Sequence, residues 1–163
     1  MIKKKISDKE LALYYLKDFS KSLESELKGV KSMFDASTLT TVELKLTFEN
    51  KNLIAIWIMA NQINIIQNVL DEKLSSALKH SLVKGTAVIL KLDYAEVLNL
   101  VDDYIQDFRA NYGSIGNMAR WLIERLYDKP IRDPYLNIYL DKYIQGVSFK
   151  WKDFSKEYRI ILE

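Results

Sequence analysis

Cysteine is absent from the 163 residues, histidine occurs once and glycine five times. Without thiols there are no disulfides, no thiolate nucleophile and no cysteine-based zinc or iron–sulfur site, which fits a reducing cytoplasm. One histidine excludes multi-histidine metal sites and leaves His80 as the single imidazole base. It stands in LKHSL near an expected helix end, where contact with terminal carbonyls is the simpler role. Few glycines and no glycine-rich loop argue against P-loop and dinucleotide fingerprints. Neither a cofactor nor a metal is expected.

An export signal is not visible either. MIKKKIS carries positive charge, but Asp8, Lys9, Glu10, Lys17 and Asp18 interrupt what would be the apolar region. Residues 52–70, NLIAIWIMANQINIIQNVL, hold no charge and have the length of a bilayer span, yet include four Asn and two Gln. Membrane insertion is therefore not expected.

A net charge of +2 and a pI of 8.6 fall short of a strongly basic nucleic-acid binder. The charges are unevenly placed: residues 93–107 contain five acids and no base, whereas residues 142–159 contain five bases against two acids. Lysine outnumbers arginine 19 to 5, a bias resembling that of low-GC bacteria, their phages or mobile elements.

Ser7 followed by Glu10 is a capping-box pattern, and Leu13, Leu16, Phe19, Leu23, Leu27, Val30 and Phe34 then recur at helical spacing. Gly29 is a place where this helix ends or kinks. Thr41–Phe48 alternates apolar and polar residues, Glu49–Asn52 makes a polar turn, and Leu53–Ala60 reads as a returning strand apolar on both faces. Asn61 caps a following helix that Gly85 stops, and Thr86–Leu92 reads as a third strand. Asp93 and Glu96 repeat the capping box before a helix reaching about Asn111, with Val97, Val101, Tyr104, Ile105 and Phe108 inward. Its outer stripe is Glu96, Asn99, Asp103 and Gln106. Ser114 opens another helix, Tyr135–Ile144 fits helix or strand, and Val147–Trp151 with Glu157–Leu162 reads as a final hairpin. The expectation is one α+β domain spanning 1–163, a mainly antiparallel sheet built from hairpins with about four helices.

Candidate chemistry is sparse. NYGSIGNMARWLIERLYDKP, residues 111–130, has the outline of a helix-turn-helix carrying Arg120 and Arg125. The small residue needed four positions before the turn glycine would be Arg109 or Tyr112, so neither register fits. A plain helical hairpin with Ile115, Met118, Leu122 and Leu126 inward and Arg120, Glu124 and Asp128 outward explains the same residues. Glu43-Leu44-Lys45 matches the acid-x-Lys pattern of metal-dependent nucleases, with Asp35 as a further ligand, but the spacing recurs at Glu26, Glu49 and Asp71 as often as chance allows. Asp103 and Asp107 share a helix face that reads as solvated surface. Ser-x-x-Lys at Ser25, Ser76 and Ser81 lacks any companion element.

The segment VSFKWKDFSKEYRI, residues 147–160, interleaves Phe149, Trp151, Phe154 and Tyr158 with Lys150, Lys152, Lys156 and Arg159. Aromatic rings with basic neighbours suit an interface core and its electrostatic steering. The expected function is thus a non-catalytic binding or regulatory protein that engages a protein partner, with Lys150, Trp151, Lys152, Phe154, Tyr158 and Arg159 as contacts. The alternative is a nucleic-acid-binding regulator using the same basic segment, with Arg120 and Arg125 as additional contacts. A metal-dependent nuclease is the third and weakest reading.

Overall fold

The computed structural model describes residues 3–37, 43–111, 117–127, 133–147 and 151–163. In chain order the elements are β1 (Lys4–Ser7), α1 (Asp8–Ala36), α2 (Phe48–Val69), α3 (Glu72–Leu90), α4 (Tyr94–Ala110), α5 (Asn117–Leu126), α6 (Pro134–Gly146), α7 (Trp151–Glu157) and β2 (Tyr158–Ile161). This overturns the expected α+β fold with a mainly antiparallel sheet: among the described residues the one sheet is the parallel pair β1–β2, and helices supply the core.

The largest correction is α2. The expected hairpin turn is its first turn: Thr47 is the N-cap, its hydroxyl accepting the Asn50 backbone N–H at 3.2 Å. Ile54 through Asn64 are all buried, so the helix is enclosed on every side. Such a helix needs no polar face, and its apolar run cannot be told from a central strand by periodicity. Asn61 lies inside it rather than capping a successor.

The third strand is also absent, because α3 continues through Gly85 and Thr86 to Leu90. The buried Thr86 hydroxyl donates to the Leu82 carbonyl at 2.7 Å, one turn back, which satisfies it inside the helix. The helix stops where Lys91 adopts the left-handed conformation (φ 57°). His80 is consequently a mid-helix residue, with Nδ1 3.0 Å from the Tyr94 hydroxyl.

At the C-terminus the expected hairpin gives way to α7 followed by β2, which pairs with β1 in the register Lys4↔Tyr158 and Ile6↔Ile160. Tyr135–Ile144 resolves as helix, with Asp133 capping it by accepting the Leu136 N–H at 3.0 Å. Ser114 lies outside the described residues.

Two helices match the sequence closely. The capping box of α1 is formed: Ser7 Oγ accepts the Glu10 N–H at 3.1 Å and the Glu10 carboxylate accepts the Ser7 N–H at 2.9 Å. Gly29 does not end α1, which runs to Ala36. In α4, Val97, Val101, Tyr104 and Ile105 are buried as expected and Phe108 is half-buried, although Asp93 makes no side-chain cap.

The helices close on α2 through hydrogen bonds as well as packing. Trp57 Nε1–H donates to the Met118 carbonyl of α5 at 2.7 Å, Tyr104 of α4 donates to Asn61 Oδ1 at 3.2 Å, and Trp151 of α7 donates to Gln62 Oε1 at 3.0 Å. The chain ends meet too, since the Glu163 N–H donates to the Asp8 carboxylate at 2.9 Å. No helix among the described residues is long and apolar enough to cross a membrane. Replacing Ser7→Ala should lower stability by about 1 kcal/mol in denaturant unfolding. Glu10→Gln, which can still accept the Ser7 N–H, should cost less.

Candidate interaction surfaces

The C-terminal residues do not form the alternating strand that their sequence suggests. In α7, Trp151 is buried while its neighbour Lys152 is exposed. Trp151 is 1% exposed, held by Gln62 and packed on Tyr15 at a ring separation of 5.4 Å. It is a core residue, not an exposed anchor. Phe154 and Tyr158 are half-buried and stack on each other at 4.3 Å, while Lys152 and Arg159 are exposed. Lys150 lies outside the described residues. The register of β1 and β2 sets Lys5 beside Arg159 and Lys4 beside Tyr158, and Lys3 Nζ donates to the Ser155 carbonyl at 2.9 Å. Sequence reasoning missed the N-terminal lysines because nothing local marks residues so far apart as strand partners.

Arg120 and Arg125 face α4. Arg120 donates to both Asp107 carboxylate oxygens, at 3.0 and 3.2 Å. Arg125 pairs with Asp103, and its guanidinium lies 4.2 Å above the centre of the buried Trp121 ring. Trp121 Nε1–H donates to the same Asp103 carboxylate at 2.9 Å. The acidic stripe of α4 and the arginines of α5 thus neutralise one another. These two arginines are already engaged within the chain.

A third surface was not visible in the sequence. Leu13, Leu16, Lys17 and Ser20 of α1 and Ser81, Lys84, Gly85 and Val88 of α3 each repeat at helical spacing, and with Ile89 they line a shallow groove of about 490 Å³. Leu13 is 55% and Val88 74% exposed. Gly85 lets the helices approach: a Cβ there would stand 2.2 Å from Leu16 Cδ1. Lys17 and Lys84 stand on opposite walls, make no ion pair among the described residues, and share the groove with no carboxylate. Leu13 fits the expected inner stripe of α1 by spacing, but the residues actually buried in that turn are Leu11, Ala12 and Tyr15.

A cavity of about 580 Å³ has the opposite character, with Asp18, Glu26, Asp153 and Glu157 in its lining alongside Tyr15, Phe19 and Phe154. At its edge the Tyr143 hydroxyl donates to the Glu26 carboxylate and lies 3.1 Å from the Glu26 carbonyl. Among the described residues, no three histidine or acidic side chains are grouped to hold a metal ion. Glu43 and Lys45 are exposed and lie in no strand, so the acid-x-Lys pattern loses the setting that suggested it.

Compared with models of protein families, with curated proteins and with solved structures, the chain finds no match.

Burial and neighbouring carboxylates raise several phenols. Tyr15 is raised by burial, then by Asp18 and Glu26; Tyr143 by burial and its hydrogen bond to Glu26; Tyr127 is pushed up to about 12 by burial and Asp35. The folded chain therefore keeps these phenols protonated at pH values where the unfolded chain, titrating near 10.0, loses them. Stability should be undiminished by them below pH 10.0 and fall as pH rises through about 12, as read by denaturant midpoints across that range. Trp151→Ala should cost about 3–5 kcal/mol, as expected for a large core residue. Lys152→Ala should leave the denaturant midpoint nearly unchanged.

Proposed function

We propose that this chain is a non-catalytic binding protein that regulates a protein partner, and that it engages that partner through the α1–α3 groove. The observation that carries the reading is the contiguous apolar strip from Leu13 to Val88, left open by a fold that buries its three tryptophans. Exposed apolar side chains gathered together and rimmed by polar residues are a common mark of an interaction site. The absence of cysteine supports a cytoplasmic setting for the encounter.

A benzophenone photo-crosslinking residue at Val88, irradiated in lysate of the source organism, should yield a discrete protein adduct. The same group at Lys28, an exposed position on α1, should not. No adduct, or the same adducts from both positions, would overturn the reading.

A second reading has its own support. The pairing of β1 with β2 sets the exposed Lys5 beside the exposed Arg159 on one face of the ribbon, a pair of bases suited to contact with phosphates. On this reading, labelled single-stranded DNA or RNA binds at about 50 mM salt and is released at about 200 mM. Lys5→Glu with Arg159→Glu should remove the binding; salt-independent affinity in anisotropy titrations would argue against phosphate contacts.

A further inference from the structure

Building on the α1–α3 interface reading, we infer that the groove receives an amphipathic helix whose apolar stripe is flanked on both sides by carboxylates. Two packed helices leave a trough shaped for a third helix, laid in by its apolar face. The lining from residue 13 to residue 20 of α1 spans about 10 Å, roughly two turns of such a partner. Leu13, Leu16, Val88 and Ile89 supply the apolar contact, and Gly85 lets Leu16 pack closely against α3 in the floor of the trough.

Charge selects the partner. Lys17 and Lys84 flank the apolar floor from opposite walls, with no carboxylate in the lining to answer them. A helix with acids on both flanks of its stripe places one opposite each lysine. A basic helix meets two like charges, and such juxtapositions are strongly disfavoured across an interface.

A second copy is a poorer fit. The exposed strip of α6, Tyr135, Ile138 and Tyr139, continues into Lys142, and the single acid of that helix, Asp141, is buried. On α4, Asp102, Asp103 and Asp107 are already paired within the chain, and the helix exposes no large apolar residue. A lipid surface suits an apolar ridge better than a trough between two helices.

The test uses the full chain and fluorescein-labelled synthetic helices with a leucine stripe flanked by glutamate or, in a matched peptide, by lysine. In anisotropy titrations the glutamate peptide should bind and the lysine peptide should bind about tenfold more weakly or worse. Val88→Glu should abolish the binding, and Lys17→Glu with Lys84→Glu should reverse the preference between the peptides. These are exposed positions, and matching circular dichroism spectra confirm that the variants fold.

Equal affinity for both peptides, or a preference the double variant does not reverse, would overturn the inference. So would binding to phosphatidylserine vesicles without peptide binding, or a sedimenting dimer that Val88→Glu dissolves. If the glutamate peptide fails while photo-crosslinking at Val88 still captures a protein, the acidic-helix inference falls and the interface stands. Failure of both removes both.

Discussion

The rest of the structure depends on how α2 survives inside the core. A helix buried on all sides would carry Asn61 and Gln62 out of water at a cost of several kcal/mol unless their polar atoms were met. Tyr104 meets the Asn61 amide oxygen and Trp151 the Gln62 amide oxygen, each from a different helix, while Trp57 reaches outward to the Met118 carbonyl. These bonds give α4, α5 and α7 defined positions around α2 that apolar contact alone would leave free to slide. Dispersion and apolar burial supply most of the stabilisation, but the amide and indole groups decide which helix sits where.

That arrangement shapes the surface. Trp57, Trp121 and Trp151 are all taken into the interior, so none is available at the exterior for recognition. Arg120 and Arg125 are taken up as well, pinning α5 to α4 through Asp107 and Asp103. Left outside on α1, α3 and α6 are aliphatic and tyrosine side chains such as Leu13, Val88, Tyr135 and Tyr139, with lysines that share the α1–α3 groove with no carboxylate. A compact positive charge beside leucine and valine favours an approach guided by charge and held by apolar burial.

The sequence was legible where one face of an element meets water and the other meets the core. The α1 capping box and the inward positions of α4 follow directly from such contrast. It was illegible at α2, where burial on every side removed the contrast, and at Thr86, where a β-branched residue in an apolar run suggested a strand. The C-terminal alternation misled for a related reason: Trp151, Phe154 and Tyr158 lie three and four residues apart, and so satisfy a helical as well as an extended pattern. The groove was hidden because Leu13 belongs by spacing to the inner stripe of α1. Only the packing of α3 shows that this position stays outside. The ribbon of lysines against Arg159 was beyond reach, since parallel pairing of such distant segments leaves no local mark.

The β1–β2 ribbon also imposes an order in time. Residues 4–7 leave the ribosome ahead of the intervening helices, and their partners at 158–161 follow only after those helices have been made. Through that interval β1 is an unpaired strand, able to add to any other exposed edge it meets. Lys3, Lys4 and Lys5 place charge along it for as long as it waits, which discourages stray pairing. The same lysines end beside β2 once the last strand arrives, so a run of charge that protects the nascent chain becomes a fixed part of the finished surface.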